Sequence, residues 1–312
     1  MAIDLVAGAR ATRSGFQIIE SVLAGVGRLN RNRRQVRRAV ELLGIRDSEM
    51  FNYRVAMQHP DHPRGAPHPD DGYAFVSVAS EAASRAMERR NFAVTDSIPA
   101  TLDEGFVLIG SPESELLTSA AFGYTRRDDG LGMKFTGDVL DLPYRWEEDQ
   151  TNVAATCTRY VPGRDLVTRP NWPIIDNTGT RIRTIAPVVR NDGMLASDFL
   201  LITRLPNFLS DIGLQSGRSL ISIGGTHGTG TRAIDVLLRD RTALRKIADE
   251  VPMGTGAFQI LLEAGVIDHN RHNGSVATKV QIRDIRSLER PNWMWDRARS
   301  AALAKLQPLD PI

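Results

Sequence analysis

Apolar residues recur at helical spacing near the start of the chain. Ile19, Val22, Leu23, Val26 and Leu29 form one stripe and predict a helix from about Ser14 to Leu29. A second helix is expected from about Arg33 to Leu43, with Val36, Ala39, Val40 and Leu43 inward and Gly44 as its left-handed stop. Asp47 or Ser48 then caps a third short helix carrying Met50, Phe51 and Val55. The stretch from His59 to Asp71 holds four prolines and reads as a stiff linker. The expected division is a helical module over 1–58, a linker over 59–72 and a larger domain over 73–312.

Beyond Tyr73 the pattern changes to strands alternating with helices. Tyr73–Val78 is a short apolar run, and Ser80 to Arg90 has the spacing of a helix. Phe106–Ile109 is a buried strand ending on Gly110, with Ser111–Phe122 a helix candidate after it. From about Asp128 to Val189, glycine, proline and tryptophan mark loops with short antiparallel strands. Asp198–Thr203 and Ser219–Ile223 read as strands, and Thr229 to Leu238 as a helix. Phe258–Ile267 and Val276–Ile285 flank a turn-rich segment and predict a hairpin, and Trp293–Leu306 should be a closing helix. The fold class expected is α/β: a Rossmann-like core with an added antiparallel hairpin, preceded by a small all-helical N-terminal module.

The chain has 312 residues, 42% of them hydrophobic and 24% charged, with a net charge of +2. That composition excludes a collagen-like, disulfide-stapled or wholly disordered chain. No apolar run reaches the roughly 18 residues that span a bilayer, and the first residues lack a signal-peptide pattern. A soluble cytoplasmic protein with no membrane contact is therefore expected. The single cysteine, Cys157, allows no internal disulfide and reads as a small buried residue. Charge is uneven: residues 1–58 hold ten arginines against five acids, a balance of +5, which leaves −3 for the other 254.

Candidate chemistry concentrates in Ile223-Gly-Gly-Thr-His-Gly-Thr-Gly-Thr-Arg-Ala233, which follows a predicted strand and opens a predicted helix. Glycines there let backbone amides approach an anion, and the helix dipole favours negative charge. The expected ligand-binding residues are Gly224, Gly225, Thr226, His227, Gly228, Thr229, Gly230 and Thr231. A Walker loop is excluded because Thr231 stands where its lysine belongs. Gly228-Thr-Gly-Thr-Arg-Ala233 fits G-x-G-x-x-A, without the acid expected about twenty residues on. Over 219–238 the segment resembles the Rossmann-like nucleotide-sensor domains of the SLOG type, which place a glycine–threonine loop ahead of a helix. That resemblance implies a nucleotide-derived ligand. A second loop, Gly110-Ser111-Pro-Glu113-Ser-Glu115, has the same setting and is expected on the same rim of a parallel sheet. Gly110, Ser111 and Glu113 join the candidate ligand set, while helix capping explains the motif equally well.

His227 is the candidate general acid if the site is catalytic. His269 and His272 read as a solvated hairpin tip, and His59, His62 and His68 as linker residues rather than metal ligands. Ala39, Leu43, Gly44, Ile45, Ser48, Met50 and Phe51, within 36–54, resemble the helix-turn-helix of Fis-type DNA-binding domains. The resemblance implies nucleic-acid contacts from Arg34, Arg37, Arg38, Arg46, Asn52 and Arg54. Asp47 and Glu49 would oppose them, so a protein partner stays open.

These features point to a regulatory protein that binds a nucleotide or dinucleotide, relays the event to DNA or protein through 1–58, and forms homo-oligomers. Two alternatives stay open. One is a nucleotide- or NAD-processing hydrolase or transferase using the same loop; the other is a self-assembling structural protein with no ligand.

Overall fold

The computed structural model describes residues 31–45, 51–56, 68–85, 91–95, 97–112, 116–126, 133–147, 156–162, 166–170, 172–288 and 292–306. Residues 31–42 form α1. Then come β1 (Phe51–Val55), α2 (Pro69–Arg85), β2 (Asn91–Val94), β3 (Gly105–Ile109) and α3 (Leu116–Ala121). Eight short strands follow: β4 (Tyr124–Arg126), β5 (Met133–Phe135), β6 (Tyr144–Trp146), β7 (Thr156–Tyr160), β8 (Leu166–Pro170), β9 (Ile174–Asp176), β10 (Arg183–Ile185) and β11 (Val188–Val189). The rest is β12 (Leu195–Pro206), α4 (Asp211–Gln215), β13 (Ser219–Gly225), α5 (Gly228–Arg239), α6 (Arg241–Glu250), β14 (Phe258–Asn270), β15 (Gly274–Ser287) and α7 (Asn292–Leu306).

A mixed sheet runs through the centre in the order β15-β14-β12-β13-β3-β1-β2, with β11 paired to β12. The four strands β13, β3, β1 and β2 are mutually parallel. On the other side, β12, β14 and β15 continue the sheet with antiparallel pairing. Alternation along each central strand sends side chains to opposite faces. Val107 and Ile109 join one core with α1, α2, α5 and α6, while Phe106 and Leu108 join a second with α3 and α7. Ile221 and Ile223 divide from Leu220 in the same way. The central strands β3 and β13 are thus buried on both faces, which is why they read as continuous apolar runs. The α/β class and the β14–β15 hairpin agree with the pattern in the sequence.

Two expectations are corrected. Phe51–Val55 is not part of a third short helix; it is β1, hydrogen-bonded between β3 and β2. Phe51, Tyr53 and Val55 are buried at every second position, a strand period that their aromatic and β-branched types favour. Residues 46–50, the rest of that expected helix, lie outside the described residues. The expected change from apolar run to helix within 73–90 is replaced by one helix, α2, that begins at Pro69. Ala74, Val78 and Ala82 recur every four residues on its buried face. Pro69, Asp70 and Asp71 looked like the end of a linker, yet proline and acids are also what a helix start favours. Nothing is described of the expected helix over 14–29 or of linker residues 59–67.

The described part of 1–58 shares the large domain's core. Ala39, Val40, Leu43 and Ile45 pack with Ile221, Ile223 and Ile234. α1 ends as expected, at Gly44 with φ +71°. The Gly44 amide donates to the Glu41 carbonyl at 2.9 Å and the Ile45 amide to Val40 at 3.0 Å, closing a Schellman motif. A β-carbon at Gly44 would stand 2.5 Å from Ile221 Cδ1 and 3.0 Å from Val107 Cγ2. Gly44→Ala therefore combines a left-handed backbone penalty with overpacking. It should cost about 2–4 kcal/mol in urea unfolding, and a loss under about 0.5 kcal/mol would contradict this packing.

Candidate functional site

The two glycine loops lie side by side at the carboxyl ends of β3 and β13. The Gly110 amide donates to the Ile223 carbonyl at 3.0 Å, and a β-carbon at Gly224 would meet Gly110 O at 2.7 Å. The expectation that both loops share one rim agrees with this placement. Gly110 has φ +122°; Ser111 is half-buried, and Glu113 and Glu115 lie outside the described residues.

The Gly224–Thr231 loop is not an open cradle of amides. Gly225 N donates to Thr231 Oγ1 at 2.9 Å, Thr226 N to Phe199 O at 3.0 Å, and Thr231 N to His227 O at 3.2 Å. Gly230 N donates to Asp198 Oδ2 at 2.6 Å. The threonine hydroxyls also turn inward. Thr226 donates to Asp198 Oδ1 and Thr229 to the Ser275 carbonyl at 3.0 Å, while Thr231 bonds Asp71. The amides of Gly228 and Thr229 have no acceptor among the described residues.

None of Gly224, Gly225, Gly228 and Gly230 has positive φ; close approach explains them instead. A β-carbon at Gly230 would sit 2.2 Å from Phe199 O, and one at Gly228 2.3 Å from Asp70 Oδ2. Hence α5 begins with three carboxylates beside its first turn, Asp198 from β12 and Asp70 and Asp71 from α2. The helix dipole and orphan amides favour negative charge there, and the protein supplies it from its own chain.

Asp70 is buried and doubly paired. Arg159 Nη1 on β7 donates to its Oδ2 at 2.5 Å, and Arg232 Nη1 on α5 approaches its Oδ1 at 3.3 Å. Arg232 also donates to the Asn273 carbonyl at 2.5 Å, and its guanidinium lies 4.5 Å over the Tyr73 ring. Beside this cluster, Cys157 Sγ is 3.0 Å from His227 Nε2. Cys157 and Arg159 share a face of β7 because they are two residues apart.

Burial dominates the acid–base behaviour. It raises Asp71 to about 7, helped by the Asp70 charge and opposed by Thr231 and Arg159. Asp198 is raised to about 6 by burial, against hydrogen bonds from Thr226, Phe199 and Gly230. His227 is lowered to about 3 by burial and by Arg159, and burial with Asp198 pushes the Cys157 thiol up to about 12. The cysteine and histidine therefore rest as a neutral thiol–imidazole pair.

Of the positions expected to meet nucleic acid, Arg34 and Arg37 are exposed, Arg37 pairing with Glu41 at 2.8 Å. Arg38 instead holds the end of α6, donating to Val251 O at 2.6 Å and to Ala248 O. Asn52 donates to Glu104, and buried Arg54 to the Ser97 carbonyl. Arg46 lies outside the described residues. His269 is not a solvated tip: its ring bonds Ser275 Oγ at 2.7 Å and Leu195 O at 2.9 Å. No group of metal-ligating side chains occurs among the described residues.

Asp70, Asp71, Asp198, Arg159, Arg232 and Cys157 were absent from the expected site. Asp198, an acid heading an apolar strand, and the Cys157–Arg159 spacing were the available signals. No protein-family model matches the chain, and no curated protein matches it.

The buried acids and His227 oppose each other in pH dependence. Asp71 and Asp198 bind protons more tightly folded than unfolded. Their contribution is full below about pH 4 and is lost as pH rises through 6 and 7. His227 binds its proton less tightly when folded, so its contribution is gained as pH rises from about 3 to 6.5. In urea unfolding between about pH 4 and 6, His227→Gln should steepen the fall of stability with pH, and Asp71→Asn should flatten it. Unchanged slopes in both variants would show that these groups are not buried as described.

Proposed function

We propose that the protein is a regulatory, ligand-binding protein. The start of α5 holds the anionic end of a nucleotide-derived small molecule, and the rim formed with the Gly110 loop receives the remainder. One observation carries this reading: guanidinium groups from two elements converge with the unmatched Gly228 and Thr229 amides at one helix start. Arg159 and Arg232 are suited to an anionic oxygen acceptor, because their planar donors match phosphate or carboxylate oxygens. Binding would act by shifting a conformational equilibrium. The change would pass through α2, which packs on α5, to a macromolecular partner of the upstream residues. No helix among the described residues is long and apolar enough to cross a membrane.

A nucleoside phosphate panel in a thermal-shift assay tests the reading. At saturating concentration one member should raise Tm by roughly 2–4 °C, and Arg232→Ala should abolish the rise. No shift with any member, confirmed by calorimetry, would remove the nucleotide reading.

The Cys157–His227 contact favours a second reading, thiol-dependent transfer or hydrolysis at the same rim. A neutral buried pair is a poor nucleophile, because the thiolate is the reactive form. Iodoacetamide should accordingly label Cys157 only as fast as the protein unfolds. Rapid labelling of folded protein, lost in His227→Ala, would favour the enzyme.

A further inference from the structure

Asp70 occupies the place that a bound anion would take. Its carboxylate is buried, lies against Gly228 at the first residue of α5, and meets Arg159 at 2.5 Å and Arg232 at 3.3 Å. The match is incomplete. Arg159 is 4% exposed and engages Asp70 through Nη1, while its Nε has no partner. A guanidinium offers five donors in one plane, and a buried donor without an acceptor is costly. The Gly228 and Thr229 amides are unmatched at the same point. A carboxylate on a short tether has two oxygens for these donors, whereas a phosphate monoester has three and no tether.

We propose that Asp70 is a built-in occupant of an anion site, and that a phosphate-class ligand group binds at the start of α5 by exchanging with it. The inference rests on the reading of α5 as the ligand site and adds its regulation. Exchange would free the first turn of α2, because Asp70 and Tyr73 together clasp Arg232 from that turn. Asp198 would stay in place through Gly230, Thr226 and its own strand. Burial holds Asp71 toward the neutral form, which limits the repulsion an incoming anion meets, while the Asp198 carboxylate is already engaged by Thr226, Phe199 and Gly230. The α2 segment would thus report occupancy to the chain preceding it.

The test compares full-length wild type, Asp70→Ala and Asp70→Asn, with inorganic phosphate as probe and chloride at matched ionic strength as control. Asp70→Ala opens the position, and Asp70→Asn keeps its shape while removing the charge. Tens of millimolar phosphate should raise Tm by roughly 2–4 °C in the variants, with little change in wild type. Adding Arg232→Ala should erase the gain. If Asp70→Ala does not fold, Asp70→Asn alone decides. A variant response no larger than that of wild type overturns the inference.

The two proposals can fail separately. If wild type binds no nucleotide but the Asp70 variants gain phosphate binding, the exchange stands and the nucleotide reading falls. If wild type binds a nucleotide and the Asp70 variants bind it with unchanged affinity, the site stands and the exchange falls.

Discussion

The ion pair between Asp70 and Arg159, extended by Arg232, is the constraint around which this end of the molecule is arranged. It is made inside the protein, where two charges recover their desolvation cost only through close geometry and further hydrogen bonds. Meeting that condition ties α2, β7 and α5 together, and the Arg232 bond to Asn273 brings in the β14–β15 turn. Glycine at 228 follows from it, because any side chain there would overlap the Asp70 carboxylate. A second acid, Asp198, joins β12 to the same helix start. The apolar cores on the two faces of the sheet supply general stability, whereas these pairs fix how the upper ends of the elements meet.

This arrangement changes the meaning of the glycine–threonine loop. A loop of that composition serves a ligand when its amides point into open space. Here most of them are bonded within the protein, and the glycines permit contact between chain segments. The anion preference of a helix start persists, but it is met by acids held on other elements. Competition between an internal and an external anion is a natural basis for a switch, since a ligand shifts an equilibrium only by its preference for one state.

Much of the fold was legible from the sequence where one signal acted alone. Strands β3, β12, β13 and β14 contain apolar runs, β15 alternates apolar and polar residues, and α5 and α7 have helical spacing. Legibility failed where one residue type carries two meanings. Pro69, Asp70 and Asp71 serve a linker or a helix start equally, and only Ala74, Val78 and Ala82 beyond them decide. Phe51 to Val55 is too short for spacing to separate helix from strand, and its partners β2 and β3 lie far along the chain. The site divides in the same way. Its loop, with Arg232, is local in the sequence; its acids and Arg159 come from α2, β12 and β7 and meet it only in three dimensions. Cys157 and His227, seventy residues apart, are the clearest case.

The central claim, that the start of α5 is an anion site with two available amides, is tested most directly by amide NMR during titration with a nucleoside phosphate. The Gly228 and Thr229 resonances should move saturably, with α2 following, while Gly225 and Thr226 stay nearly fixed because their donors are already bonded. Saturable binding that leaves Gly228 and Thr229 unmoved, or no binding at all, would contradict the account.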